Sequence, residues 1–294
     1  MRRLALVAAG TLAMACASHS TPSNPTPANP TAPPPAPAPP PPPPPSPTQA
    51  VRLGPSALRY VLAQTIHVEQ ELPTGPQNLD YGLRVFFAVT INGPADSTGY
   101  PTTVTIDSIV ADSGTSLPPM AVSLSAAKGL TFTGRLQSKG EFRSTTVSDS
   151  ATAQALSPIV GSFKNFFPRL PASGATVGAA WTDTTTENNR AAGTVTITSI
   201  NRSSAVKWED RNKARSLRIE VVSDFTIKGG GQQMGQQYDI SGSGRRTGVD
   251  YIAADGRFLG GESQDTTNMT ISLPVQGLTI PRKQMSKSTV TVLP

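Results

Sequence analysis

The chain has 294 residues, with 25 lysines or arginines against 19 acidic residues, a formal net charge of +6 and a single cysteine. Its positive charge is spread thinly and forms no basic block, which argues against a nucleic-acid partner. After residue 16, no uncharged apolar run reaches the about eighteen residues that a transmembrane helix needs, so we expect none there.

Residues 1–15 have the pattern of a signal peptide. Arg2 and Arg3 precede a twelve-residue uncharged run, and an Ala-x-Ala motif stands directly before Cys16. The arrangement resembles a bacterial lipobox, in which the cysteine becomes the first mature residue and carries a lipid. We therefore expect a lipoprotein signal peptide at 1–15 and lipidation of Cys16. In the alternative interpretation, an ordinary signal peptidase cuts at the same site and the cysteine is incidental.

Residues 16–49 are expected to be the lipidated N-terminus and a disordered, proline-rich tether. From Thr21 to Thr48 there are sixteen prolines among 28 residues and no charge, so the stretch cannot form a core and favours extended polyproline II. Such a spacer would hold a folded domain away from a membrane. Because Ala17 and not aspartate follows the cysteine, the sorting rule of enteric bacteria predicts the outer membrane of the cell envelope.

Residues 50–294 are predicted to form a single antiparallel β-rich domain, with a division into two lobes near 165–170 as an open alternative. Apolar and polar residues alternate along most of this part, which is the period of half-buried strands. The predicted strands lie near 58–68, 81–91, 103–111, 130–137, 140–148, 194–201, 205–210, 217–227, 236–252, 257–273 and 286–293.

Turn residues connect these strands in an antiparallel manner. Asp255-Gly256 lies between two alternating runs and predicts a tight hairpin, while the glycine-rich stretch 228–237 predicts a flexible hairpin loop. No strand alternates with a long helix, as a parallel sheet would require. The predicted fold is mainly β (all-β to α+β): a large curled antiparallel sheet or open half-barrel with one short helix packed on it.

One short helix is predicted to begin near residue 157. Ser157 is a suitable N-cap, and Pro158 occupies the favoured first helical position. Phe163, Phe166 and Phe167 then fall on one side of the helix, where we expect them to be core residues first of all. If the sheet curls into an open barrel, the same side chains would form the lid of an apolar cavity.

Two tryptophans are further candidates for contact with a ligand. Trp181 and Trp208 could stack on sugar rings. We favour core positions for both, because large aromatic side chains supply much of the buried area of a core. Trp181 nevertheless joins the three phenylalanines as a candidate ligand-binding residue.

The stretch 166–184, FFPRLPASGATVGAAWTDT, resembles a segment found in a family of uncharacterised bacterial lipoproteins. There a Pro-Leu-Pro turn precedes a Val-Gly step, and a tryptophan begins the next strand. The matching residues here are Pro168, Leu170, Pro171, Val177, Gly178 and Trp181. Members often have a polar residue where this chain has Ala179. The resemblance implies an envelope lipoprotein and no particular reaction. More distantly, the predicted fold is similar to the half-barrel periplasmic lipoprotein carriers, a likeness of fold alone.

Residues typical of catalysis are few. His67 is the only histidine after the tether, and no G-x-S-x-G motif is present. His67, Glu69 and Glu71 share one face of the first strand, but neighbouring side chains on that face diverge, and no second histidine or cysteine would complete a zinc site. We therefore expect a solvated face here and a protein that is not an enzyme, with no metal and no cofactor.

Two functions from different classes follow. In the first, a lipid-anchored envelope protein binds a hydrophobic or amphiphilic ligand without catalysis. In the second, the domain is a structural or protein-interaction module of the cell envelope, with specificity in loops such as 93–101, 113–128 and 228–237. The expected partners are accordingly the membrane through the anchor, and a lipid or an envelope protein. The first function requires a cavity, and the second requires a tightly packed core.

Overall fold

A computed structural model describes residues 46, 48–113, 123–157, 163–189, 193–233 and 236–294. The predicted signal peptide, Cys16 and almost all of the predicted tether lie outside the described residues. So does most of the predicted loop 113–128.

Eleven strands and one α-helix are present in the described part of the chain. The strands are β1 (Ser56–Leu72), β2 (Gly75–Ile91), β3 (Tyr100–Ala111), β4 (Thr131–Leu136), β5 (Phe142–Val147), β6 (Ala180–Asn189), β7 (Gly193–Arg211), β8 (Ala214–Gln233), β9 (Gln236–Ala253), β10 (Phe258–Leu273) and β11 (Leu278–Leu293). Helix α1 spans Ser150–Ala155, and single 3-10 turns span Leu124–Ala127, Phe163–Asn165 and Pro274–Gln276.

These strands form one antiparallel sheet in the order β5-β4-β3-β2-β1-β11-β10-β9-β8-β7-β6. Strands β1–β5 form one meander and β6–β11 form another, and the two meanders join where β1 pairs with β11. Strands make up 70% of the structure, which confirms the predicted mainly β fold and its open half-barrel form. Between β5 and β6 the chain passes from one edge of the sheet to the other. We call residues 163–171 of this connection the crossing segment.

The alternation of the strands decides which face of the sheet is buried. On β2, Val85, Phe87 and Val89 are buried, whereas Arg84 between two buried neighbours is exposed. Pairing continues the same face across β1, where Tyr60 lies opposite Phe87. We call this face the inner face and the other one the outer face.

An aromatic cluster covers one end of the inner face and includes side chains from the crossing segment. Its members are Tyr60, Phe87, Phe163, Phe166, Phe167 and Phe258. The Phe166 ring meets Phe87 and Phe258 edge-on, at centroid distances of 5.1 and 5.4 Å. The Tyr60 hydroxyl donates a hydrogen bond to the Phe258 carbonyl at 2.8 Å, and burial raises the pKa of Tyr60. The cluster therefore ties the crossing segment to both meanders.

The helix predicted from Ser157 falls mostly on residues outside the described part, but its end differs from the prediction. Phe163–Asn165 form a 3-10 turn, and Phe166 and Phe167 are not helical. Aromatic packing against both meanders determines the backbone there, in place of helical periodicity. Helix α1 was not predicted; the Asp149 side chain caps it by accepting a hydrogen bond from the Thr152 amide at 3.0 Å.

Two predicted strand boundaries are wrong for local reasons. The segments 194–201 and 205–210 belong to the single strand β7, in which a bulge at Val206 shifts the register and leaves that side chain 41% exposed. The predicted loop 228–237 is mostly strand, because β8 continues to Gln233 and β9 begins at Gln236. A Cβ on Gly229 would lie 2.1 Å from the Thr194 carbonyl oxygen, so this glycine allows close strand approach.

The predicted Asp255-Gly256 turn is present between β9 and β10, with Gly256 at a φ of 91°.

Candidate functional site

The inner face contains a groove between the crossing segment and strands β1 and β6–β11. Its volume is about 480 Å³, and its lining combines apolar and polar side chains from these strands. We call it the inner groove. A depression of about 870 Å³ lies elsewhere on the sheet, but it is more open to solvent and has no aromatic cluster at its end. The inner groove is therefore the better candidate for a ligand site.

One end of the inner groove is apolar. Phe166, Phe167 and Phe258 of the aromatic cluster line it, together with Leu62 of β1 and Val290 of β11. Leu62 and Val290 are direct partners in the sheet, so their side chains stand side by side on the inner face. This end offers a ligand a surface of aromatic and branched aliphatic groups.

A polar row crosses the inner face further along the strands. Pairing places Ser286, Asp265, Arg246, Ser223 and Asn201 next to one another on β11, β10, β9, β8 and β7. The Ser286 hydroxyl donates to Asp265 at 2.6 Å, and the Ser223 hydroxyl donates to Asn201 at 2.6 Å. A guanidinium nitrogen of Arg246 lies 3.6 Å from the Asp265 carboxylate. The hydroxyl, amide and charged groups of this row can hold a polar head group.

Asp250 lies between the apolar end and the polar row. On the inner face it pairs with Gly261 of β10 on one side and with Ile219 of β8 on the other. Burial raises the pKa of Asp250 to about 7, against a smaller lowering effect of the Arg246 charge. Within the part of the chain that the structure describes, its carboxyl group has no hydrogen-bond partner.

The two glycines beside Asp250 make room for neighbouring side chains on the floor of the groove. A Cβ on Gly261 would lie 2.5 Å from Oδ1 of Asp250, so the carboxyl group extends over this glycine. Gly248, the preceding residue of β9 on the same face, pairs with Val221 of β8. Because neither glycine has a side chain, they leave room in the groove for the Asp250 carboxyl group and the Ser263 side chain.

The crossing segment is held to both edges of the sheet by Arg169. Its guanidinium group lies 3.5 Å from Glu141, next to β5, and 3.7 Å from Asp183 of β6. The Trp181 indole of β6 donates to the Arg169 carbonyl at 3.0 Å. Burial alone would raise the pKa of Glu141, but the hydrogen bond from Arg143 and the charges of Arg143, Arg169 and Lys164 together lower it. The segment is thus fixed over the inner face by buried polar contacts.

The four aromatic residues predicted to bind a ligand have different roles. Phe166 and Phe167 line the inner groove, although the Phe167 side chain is only 2% exposed. Phe163 is 8% exposed and packs against Phe87 and Phe132. Trp181 is partly buried against the core and holds the crossing segment. These rings therefore form the packed end of the groove and not a separate lid.

Sequence reasoning missed the polar row, Asp250 and its glycine neighbours. The segment SGSGRRTG, residues 241–248, lies within β9, in the predicted strand 236–252. The sequence does place Arg246 and Asp250 on the same face of the predicted strand 236–252. This placement indicates buried polar side chains only when it is known which face of the strand points inwards.

His67 lies on the outer face, away from the groove. Its Nδ1 is 2.8 Å from Asp80 of β2, and its Nε2 is 3.5 Å from Glu69, which corrects the expectation that Glu69 would diverge from it. The hydrogen bond to Asp80 is the main cause that raises the pKa of His67. Across the described ranges, no three histidine, cysteine or acidic side chains are placed to hold a metal ion.

Comparison with known proteins provides no family for this chain. A scan against protein-family models and a search of curated proteins both find no match. In the described segments, every helix is too short or too polar to cross a bilayer.

Proposed function

We propose that the chain is an envelope protein, anchored through a lipid on Cys16, that binds an amphiphilic ligand in the inner groove without catalysing a reaction. The observation that carries this proposal is the division of the groove into an apolar end and a polar row. A ligand with an apolar chain and a polar head matches both parts. The membrane anchor and the outer-membrane location belong to the same proposal and rest on the sequence pattern around Cys16.

The dimensions of the inner groove support this assignment. Its volume of about 480 Å³ lies within the range of small-molecule sites, which is roughly 300–1,000 Å³. Apart from the edge strand β6, the strands that line the groove are paired on both sides, so its walls are preformed. Burial of an alkyl chain against Leu62, Val290 and Phe258 would contribute about 25 cal/mol per Å² of apolar surface.

The test is a binding titration on the full chain with Cys16→Ser, which blocks acylation so that no detergent is needed. The probe is N-phenyl-1-naphthylamine, an apolar dye that becomes fluorescent when it leaves water. We expect saturable fluorescence that dodecanol displaces. Native mass spectrometry of the same preparation should show one bound amphiphile per chain.

Two neighbouring valines of β8 provide the matched variants. Val221 lines the inner groove, while Val222 lies on the outer face. We expect Val221→Asn to weaken dye binding several-fold and Val222→Asn to leave it unchanged, with circular dichroism confirming that both variants fold. The proposal is overturned if the parent protein does not bind the dye, or if both variants bind it equally well.

The second candidate, a structural or protein-interaction module, is favoured by one observation. Phe163 and Phe167 are packed as in a solid core, and they leave only part of the inner face open. If the dye does not bind, and dodecanol does not change its fluorescence, this module is favoured. Pull-downs with envelope extracts would then identify its partner.

A further inference from the structure

Among the described acidic side chains that are not exposed, Asp250 is unusual because it has no hydrogen bond or ion pair; Glu71, Asp239 and Glu262 also lack one, but they are exposed. Asp265, Glu141, Asp224 and Asp107 each contact a basic or hydroxyl side chain at 3.6 Å or less. Asp250 has no such contact among the described residues, although it is partly buried and lines the inner groove. An acid in this position lacks a partner that a bound ligand would provide.

The surroundings of Asp250 decide which ligand group fits. Arg246 on the same strand lies near Asp265, at 3.6 Å, and no ion pair joins it to Asp250 in the described structure. The charged side chains that line the inner groove on the inner face are three acids and two arginines: Glu187, Asp250, Asp265, Arg169 and Arg246. Arg169 already contacts Glu141 and Asp183. The groove therefore has excess negative charge in a chain whose formal net charge is +6.

The apolar surface next to Asp250 indicates where the rest of the ligand lies. In the row of paired residues that contains Asp250, its neighbours towards β1 are Gly261, Val290 and Leu62. Gly261 leaves the carboxyl group open to the groove, and the two aliphatic side chains lead to the aromatic cluster. A head group at Asp250 would thus place an attached chain on the apolar end.

We propose that Asp250 anchors an amphiphile that carries a protonated amine, with the ammonium group paired to the Asp250 carboxylate and the alkyl chain on the apolar end of the inner groove. This proposal rests on the proposed function, because it assigns the head group of the same ligand. An ammonium group supplies both the missing hydrogen-bond donors and the positive charge. An alcohol of the same length would gain only the apolar contacts, and a carboxylate would be repelled.

The experiment compares dodecylamine, dodecanol and dodecanoate as competitors of N-phenyl-1-naphthylamine at pH 8, on the full chain with Cys16→Ser. We expect dodecylamine to bind about tenfold more tightly than dodecanol, a difference typical of one charge-assisted contact, and dodecanoate to bind least. Asp250→Asn should lower the affinity for dodecylamine to about that for dodecanol and so abolish the amine preference. Asp224→Asn removes a carboxylate from the outer face of β8 and should keep the amine preference.

Each outcome separates this inference from the function on which it rests. If the parent protein binds dodecanol and dodecylamine equally well, or if Asp250→Asn keeps the amine preference, the amine site is refuted and the amphiphile groove remains. If no competitor and no dye binds, both proposals fail. Asp250→Asn removes no hydrogen bond within the described protein, so a loss of the preference in a folded variant cannot be attributed to a broken hydrogen bond.

Discussion

Burial of the Asp250 carboxyl group makes the stability of the fold depend on pH. The pKa of Asp250 is about 7 in the folded protein, whereas an aspartate in the unfolded chain has its ordinary pKa of 3.8. Between pH 3.8 and pH 7, the folded state therefore binds more protons than the unfolded state. The free energy of unfolding must then fall as pH rises through this interval. Carboxyl groups with lowered pKa values, such as Glu141 and Asp224, have the opposite effect on the free energy of unfolding, which rises with pH as they ionise. Their effect falls mostly at pH values below this interval.

Asp250→Asn should remove this pH dependence. Relative to the parent, we expect the variant to gain about 2 to 3 kcal/mol of stability between pH 5 and pH 7.5, as the buried carboxyl of the parent ionises. Urea unfolding at several pH values, followed by circular dichroism, measures the difference.

The control for this prediction is Asp224→Asn, which removes the partner of Arg202 on the outer face. It should give no gain, because the pKa of Asp224 is lowered mainly by its hydrogen bond with Arg202. If the free energies of unfolding of Asp250→Asn and the parent instead change with pH in parallel, the Asp250 carboxyl group is well solvated in the folded protein.

At the scale of elements, Arg169 connects the crossing segment to the edges of the sheet. Its side chain is 15% exposed and that of Glu141 is 16% exposed, whereas Arg59 and Asp107 on the outer face are 60% and 32% exposed. Removal of one partner of a buried pair leaves the other charge without compensation, while an exposed pair contributes little. The two arginines therefore form a matched comparison.

We expect Arg169→Gln to lower the free energy of unfolding by about 2 to 4 kcal/mol and Arg59→Gln by less than about 1 kcal/mol. Urea unfolding curves give both values. Hydrogen exchange should also show faster exchange in the crossing segment of Arg169→Gln. Equal losses of stability in the two variants would mean that the crossing segment is held by its aromatic side chains alone.

Elements that follow from a local pattern could be predicted from the sequence. The alternation from Tyr81 to Ile91 and the Asp255-Gly256 turn needed no distant information. The continuous β7 could not be read in this way, because its inner-face residues Ser199, Asn201 and Ser203 are polar and the bulge at Val206 then shifts the alternation. The strand ends within 228–237 could not be predicted either. The glycines there indicate a loop by composition, but Gly229 instead allows β8 to lie close to β7.

The candidate site depends on contacts between residues that are distant in the sequence, and for this reason only part of it could be predicted. Phe166 and Phe167 were recognised because they fall on one side of a predicted short helix, although they are not helical in the structure. Asp250 becomes a site residue only when β10 brings Gly261 beside it and when β11 pairs with β1, which places Leu62 and Val290 on the same row. No spacing within a single strand contains this information.

At the scale of the whole molecule, the pairing of β1 with β11 joins the two meanders into one sheet. The pair runs over twelve residues of each strand, from Arg59 opposite Leu293 to Gln70 opposite Arg282. The aromatic cluster crosses the same boundary, since Tyr60 and Phe87 belong to the first meander and Phe258 belongs to the second. Neither meander can bury its part of the inner face without the other, so the two should unfold together.

We expect one cooperative unfolding transition, with the same urea midpoint for both meanders. Hydrogen exchange measured by mass spectrometry on peptides from β2 and from β8 reports the two halves separately. Phe258→Ala creates a cavity at the boundary and should lower both midpoints by the same amount, corresponding to about 3 to 5 kcal/mol. Val275→Ala, at a side chain that is 83% exposed, should leave both midpoints unchanged. Two midpoints in the parent, or a shift of the β8 midpoint alone in Phe258→Ala, would instead mean that the chain folds as two lobes.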